Sequence, residues 1–247
     1  MKGDGNKIEV CFTPAIFDSY QHPEAIVIVV DVLRATSAIC TAFMNGVEQI
    51  IPVATIEEAW SFKQKGYLVA AERDGLVIDF ADFGNSPYNF TNERVEGKTL
   101  VYSTTNGTQA IQLASKCHMV AVGAFLNLSA LCDWSVSKNR DIIVLCAGWK
   151  NRYSLEDSLL AGAIVEKVLQ YNTYFTQCDS AVSSLDLWQL AKPDLMAYIQ
   201  KAAQRSRLRK NGLDDVIEYC HSIDLTGIIP VYKDGVLIAM SEFVQTC

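Results

Sequence analysis

Residues 26–30 read Ile-Val-Ile-Val-Val, five β-branched side chains in a row, and the run ends on an acid, Asp31. A strand with no polar face has to be covered on both sides, which is the situation of a parallel strand inside an α/β domain. Comparable runs recur at 8–12, 48–53, 67–71, 99–102, 119–122 and 142–146, and helical patterns at 35–44, 56–65, 108–115 and 128–137 fall between them. Strands alternating with helical crossovers predict a three-layer α/β/α sandwich around a largely parallel or mixed central sheet. Beyond Cys146 the rhythm changes. Residues 155–170 read as one long helix, 185–204 as mostly helical amphipathic sequence, and 228–232 with 236–240 as a hairpin across Lys233-Asp234-Gly235. We therefore expect one α/β domain over residues 1–247, with a mostly helical cap at about 171–225 and closing strands at about 226–240.

Bulk properties exclude several classes of function. Half of the 247 residues are hydrophobic, so the chain buries a large core, and 28 acids against 21 bases leave a net charge of -7. That balance argues against a nucleic-acid binder, which needs surplus Lys and Arg, so any anion has to be held by a local site. No apolar run approaches the roughly 20 residues that span a bilayer. The first six residues are polar and lack the apolar segment of a secretory signal. No membrane association and a cytoplasmic location are the expectations. Eight cysteines without a C-x-x-C pair read as free thiols in a reducing compartment.

In open α/β sheets ligands bind at the C-terminal ends of the strands. Four segments there carry chemistry. Asp31-Val-Leu-Arg34-Ala-Thr36-Ser37 offers a carboxylate suited to magnesium beside an arginine suited to an anion, although Asp31 could simply cap the next helix; Thr36 and Ser37 fit either caps or phosphate donors. Glu72-Arg73-Asp74-Gly75 places another acid and base after 67–71 and leads into Gly84-Asn-Ser-Pro87, which alone reads equally well as a surface turn. Ser103-Thr104-Thr105-Asn106-Gly107-Thr108 runs from a strand into a helix and forms an anion cradle of hydroxyls and backbone N–H groups. It lacks the lysine and spacing of a nucleotide-binding P-loop. Ala147-Gly148 after Cys146 leads to Ser154, Glu156 and Asp157; Asp157 fits a capping box with Ser154, and Glu156 has no such role. Acids, arginines and small donors at one sheet edge match phosphoryl transfer.

Asp31-Val-Leu-Arg-Ala-Thr, Glu72-Arg73, Gly84-Asn-Ser-Pro87, Thr104-Thr-Asn-Gly-Thr108 and Glu156-Asp157 with Ala161-Gly162, in this order, resemble the motifs of the 2-phosphosulfolactate phosphatases from about residue 8 to 240. The resemblance implies magnesium-dependent hydrolysis of 2-phosphosulfolactate to sulfolactate and phosphate, a step of coenzyme M biosynthesis, on an α/β/α fold. It makes Asp31, Glu72, Glu156 and Asp157 the acids to consider as direct or water-mediated Mg2+ ligands. Arg34, Arg73 and Ser103 to Thr108 would hold the phosphate and sulfonate. Cys146 lies in a family-like Cys-Ala-Gly segment, so a catalytic thiol competes with a packing role.

Attack by water is preferred to an aspartyl intermediate at Asp31, because the D-x-D-x-[TV] motif is missing. His22, His118 and His221 fit no catalytic pattern. The basic run Arg205-Ser-Arg207-Leu-Arg209-Lys210 reads more readily as a solvated helix face than as a sulfonate attractor. Two rival readings stand: a non-catalytic anion-binding or regulatory module, which would need donors but not clustered acids, and a phosphoryl transferase or lyase on a similar substrate. A small anionic phosphoester is the expected partner, with a homodimer as the commonest assembly.

Overall fold

The computed structural model describes residues 5–20 and 22–240. The strands are β1 (Asn6–Cys11), β2 (Ile26–Val30), β3 (Gln49–Pro52), β4 (Leu68–Arg73), β5 (Leu76–Val77), β6 (Thr99–Ser103), β7 (Met119–Gly123), β8 (Ile142–Cys146), β9 (Tyr174–Phe175), β10 (Ile229–Lys233) and β11 (Val236–Met240). The helices are α1 (Ala35–Met44), α2 (Ile56–Gln64), α3 (Asn92–Val95), α4 (Gly107–Ala114), α5 (Leu128–Ser137), α6 (Leu155–Val168), α7 (Asp179–Ala191), α8 (Leu195–Tyr198), α9 (Ala203–Lys210) and α10 (Ile217–Cys220). One mixed sheet holds all the strands in the order β5-β4-β6-β3-β11-β10-β7-β2-β8-β1-β9, so the α/β sandwich is borne out.

The apolar strands divide their side chains between two layers. Ile26, Ile28 and Val30 of β2 pack with α5, α6 and α7, whereas Val27 and Val29 pack with α1 and α4. Covering both faces is what the continuous run at 26–30 demanded. Helix α6 lies so close to α7 that a Cβ at Gly162 would collide with the Ser184 carbonyl, which explains the glycine of the Ala161-Gly162 pair.

Two placements differ from expectation. The hairpin β10–β11 closes no edge; it sits in the middle of the sheet, antiparallel to both β7 and β3, and joins two parallel halves. Glu72 and Arg73 stand inside β4 rather than after it, paired with Val77 and Leu76 of β5. Asp74 and Gly75 make the intervening turn with φ of 56° and 84°. Such an Asp-Gly pair is itself a two-residue hairpin signal.

Strand order alone would keep the loops that follow β2 and β6 apart. Strand β6 stands five steps from β2 in the sheet, about 24 Å at 4.7–4.9 Å per strand in a flat sheet. Yet Gly107, just past β6, abuts Ala35 and Asp31, just past β2. The sheet curls around α1 and α4, whose buried faces share one core cluster with strands from both halves.

Candidate active site

Asp31 is buried at the C-terminal end of β2. Its Oδ1 accepts only a long bond, 3.4 Å, from the Ala35 N–H. Its Oδ2 points at Gly107, whose Cβ position lies 3.0 Å from that oxygen and 2.6 Å from the Ala35 Cβ. Only glycine lets the start of α4 come this close to the carboxylate. The N–H groups of Asn106 and Gly107 have no hydrogen-bond partner among the described residues, so the positive end of α4 faces Asp31 with free donors. Arg34, also buried, donates through Nη2 to the Gly75 carbonyl at 3.2 Å.

Glu72 fastens the two loops of the β4–β6 half together. Its Oε1 accepts from the Thr105 N–H at 2.7 Å, and its Oε2 from the Gly75 N–H at 2.7 Å and the Thr105 hydroxyl at 3.2 Å. Arg73 is equally engaged, donating to the carbonyls of Glu72 and Ala54 and to the Ser103 hydroxyl. Both therefore hold the cradle in shape. Several hydroxyls do the same. Thr104 and Thr108 bond each other's backbone N–H at 3.1 Å, Thr36 bonds the backbone of Asp31, and Ser37 donates to the Val32 carbonyl. Of the predicted cradle, Asn106 and Gly107 keep unpartnered donors.

Asp157 joins the other two loops, accepting from Val32 N–H at 2.9 Å and Gly148 N–H at 3.0 Å. Ser154 does cap α6, but the Asp157 carboxylate reaches across to β2 instead of completing the capping box. Glu156 is buried beside it. Desolvation pushes Asp31 up to about 7, with Glu72 as the next cause and Glu156 a smaller one, against the Ala35 N–H and Arg34. Asp157 and Glu156 are also raised, chiefly by burial, and Asp157 further by Asp31 and Glu156. Buried acids that raise one another mark a site built to meet positive charge. Cys146 is fully enclosed, and burial together with Asp157 pushes its thiol well above the ordinary range, the reverse of an activated nucleophile.

A model of the family described as 2-phosphosulpholactate phosphatase matches residues 11–235. The chain belongs to that family. It is 40% identical over 216 residues to a Thermotoga maritima protein named "probable 2-phosphosulfolactate phosphatase", covering 87% of this chain and 92% of the relative. Relatives with the same name are 35% identical in Caldanaerobacter subterraneus, over 89% and 92% of the two chains, and 36% identical in Clostridium kluyveri, over 85% and 88%. No helix among the described residues is long and apolar enough to cross a membrane.

In this family member the four suspected metal ligands do not form a four-acid cage. Among the described residues no three His, Cys, Asp or Glu side chains are gathered closely enough to hold a metal ion. The oxygens of Glu72 and Asp157 are already occupied by backbone N–H groups, whereas Asp31 keeps free lone pairs. Magnesium binds through one or two carboxylates, with waters and substrate phosphate completing its shell. Asp31, with Glu156 near it, fits that mode.

Several contributors escaped the sequence reading. Lys150 bridges the cradle, its N–H donating to Asn106 Oδ1 at 2.9 Å and its ammonium pairing with Asp74 at 2.5 Å. Together with Thr105, Asn106 and Gln109 it lines a cleft of about 220 Å³. Arg34 lines a second cleft, about 280 Å³, with Asn85, whose Oδ1 is buried and accepts nothing among the described residues. Gly84, Asn85 and Ser86 of the Gly84-Asn-Ser-Pro87 turn thus border the Arg34 cleft. From the cap, Gln204 donates to the Leu33 carbonyl at 3.2 Å, and Arg207 lies over the Trp149 ring, 4.6 Å from its centroid. A larger cleft of about 640 Å³, lined by Lys63, Lys65 and Lys98, opens at the other end of β4 and β6, away from the acids.

Proposed function

We propose that the protein is a cytoplasmic, Mg2+-dependent phosphatase that hydrolyses 2-phosphosulfolactate to sulfolactate and inorganic phosphate. The observation that carries this reading is the meeting of Asp31 and Arg34, both from the loop after β2, with the free N–H groups at the start of α4, from the other half of the curled sheet. A phosphoryl group seated there would receive donors from Asn106 and Gly107 and positive charge from Arg34 as its oxygens gain charge. Attack by a water oxygen on phosphorus breaks the bond to the ester oxygen, and that oxygen needs a proton as it leaves. Solvent water supplies that proton, since Asp31, as the carboxylate that would hold the metal, is ionised when the metal is bound. A bound magnesium would neutralise the phosphoryl oxygens beside Asp31 and Glu156. Glu72, Arg73 and Asp157 keep the loops in register, and Cys146 takes no part.

The test is phosphate release from 2-phosphosulfolactate with and without Mg2+. We expect turnover that needs the metal and that falls about 1,000-fold in Asp31→Asn, through loss of several kcal/mol of metal-borne charge stabilisation. Sulfolactate binding without phosphate release would favour the non-catalytic module, and undiminished turnover in Asp31→Asn would remove the chemistry assigned here.

A further inference from the structure

The centre assembled above holds four buried acids, Asp31, Glu72, Glu156 and Asp157, and Arg73 is wholly engaged with Glu72, Ala54 and Ser103. Arg34, which makes a single hydrogen bond to the Gly75 carbonyl, is the one arginine of the predicted set with donors left over. A phosphoester that carries a second anionic group cannot satisfy both groups on a single guanidinium, because each anion taken from water needs its own compensating charge. The basic run on the cap supplies a candidate that the phosphatase reading does not use.

Arg207 is not a freely solvated residue. Its Nε donates to Gln204 Oε1 at 2.6 Å, and its guanidinium lies on the Trp149 ring. Gln204 is itself buried and donates from its amide to the Leu33 carbonyl, one residue before Arg34. The cap helix α9 is thus hooked to the β2 loop, and the same glutamine that makes the hook sets the orientation of Arg207. Trp149 comes from the β8–α6 loop, which leads into the first turn of α6 and Glu156, and Glu156 is the one group that counteracts the effect of desolvation on Arg207. No carboxylate lies within ion-pair distance of Arg207 among the described residues. The two terminal nitrogens of its planar fork are left without a protein partner, next to the acid centre. A guanidinium held flat on an indole and fixed through Nε presents that fork ready for a planar or tripodal oxyanion.

We infer that Arg207 binds one of the two anionic groups that the substrate carries besides its phosphoryl group, the sulfonate or the carboxylate, and selects phosphoesters bearing such a group over simple ones. The inference rests on the phosphatase reading for its substrate, while the orientation of Arg207 by Gln204 and Trp149 does not. The rest of the run differs in its surroundings: Arg205 buries Nε and Nη1 without a partner among the described residues, in the neighbourhood of His221, and Arg209 is an exposed partner of Asp214.

The experiment compares wild type, Arg207→Gln, Arg207→Lys and the control Arg209→Gln on three esters: 2-phosphosulfolactate, 2-phospholactate and p-nitrophenyl phosphate. For Arg207→Gln we expect KM for 2-phosphosulfolactate to rise about 30-fold, roughly 2 kcal/mol of lost charge-assisted binding, with kcat within threefold. Arg207→Lys recovers part of the loss, and Arg209→Gln behaves as wild type. An accompanying loss on 2-phospholactate assigns the carboxylate; its absence assigns the sulfonate. Equal losses on all three esters, p-nitrophenyl phosphate included, or no loss on any, overturn the inference. Calorimetric binding of sulfolactate separates the two readings. If wild type releases no phosphate yet binds sulfolactate more than tenfold tighter than Arg207→Gln does, the hydrolase reading falls and Arg207 keeps its role; equal binding removes that role.

Discussion

Gly107→Ala tests whether the close approach of the two sheet halves makes the site. The added methyl would stand 2.6 Å from the Ala35 Cβ, 3.0 Å from Asp31 Oδ2 and 3.4 Å from Thr104 Oγ1. Carbon atoms in contact settle at about 3.5–4.0 Å, so α4 and α1 must part by roughly 1 Å. The nearest obstacle cannot swing aside, since Ala35 has no rotamer and is buried. Overpacking of this kind costs about 1–3 kcal/mol, offset by up to about 1 kcal/mol because alanine favours helix over glycine. Gly107 does not need a positive φ, so backbone strain adds nothing. The expected net loss is therefore about 1–2 kcal/mol in urea unfolding. Activity should suffer more than stability, because the displaced atoms are Asp31 Oδ2 and the free N–H groups facing it. A misplacement of about 1 Å reduces kcat/KM on the order of 100-fold. Ala35→Gly in the same chain removes the 2.6 Å conflict and leaves the milder one with Asp31, so the double variant should regain at least half of both losses. Wild-type turnover in Gly107→Ala, or no recovery in the double variant, would refute the account of how the halves meet.

Two further outcomes are expected. His221 is buried, its Nδ1 donates to the Ile217 carbonyl and its Nε2 has no partner among the described residues; burial lowers its pKa from 6.5 to about 4. Below pH 6.5 the unfolded chain takes up a proton that the folded one refuses, so this contribution is complete above 6.5 and is lost as pH falls toward 4. The unfolding free energy of wild type relative to His221→Phe should drop by about 2–3 kcal/mol between pH 7.5 and 4.5, and a flat difference in urea unfolding would contradict the assigned burial. Cys146→Ala should keep kcat within threefold while losing about 1 kcal/mol of stability from the emptied space; loss of turnover in the folded variant would restore the thiol as a candidate nucleophile.

How much of this was legible differs from element to element. Strands 26–30 and 142–146 and helices 35–44 and 128–137 fall at the expected residues, because their side chains are uniformly apolar or regularly periodic and local preference agrees with burial. Glu72-Arg73 was placed one step wrong because Asp74-Gly75 was read as loop chemistry rather than as a hairpin turn. The cap helices were visible as amphipathic sequence, yet Arg207 looked like a solvated charge. Its stacking on Trp149 and its bond to Gln204 depend on how α9 docks, which no local pattern encodes.

What the residues alone determined is the class of fold and the kind of chemistry at the strand ends. Unbroken β-branched runs require cover on both faces, and acids, arginine and a glycine-containing hydroxyl loop gather wherever such runs stop. Tertiary structure decided which of those groups are free and which are bound to one another. The curl around α1 and α4, the hairpin inserted between the sheet halves and the reach of Asp157 to Val32 and Gly148 join residues far apart in the chain. Such contacts follow from the packing of whole layers, to which each local segment contributes without specifying its partner.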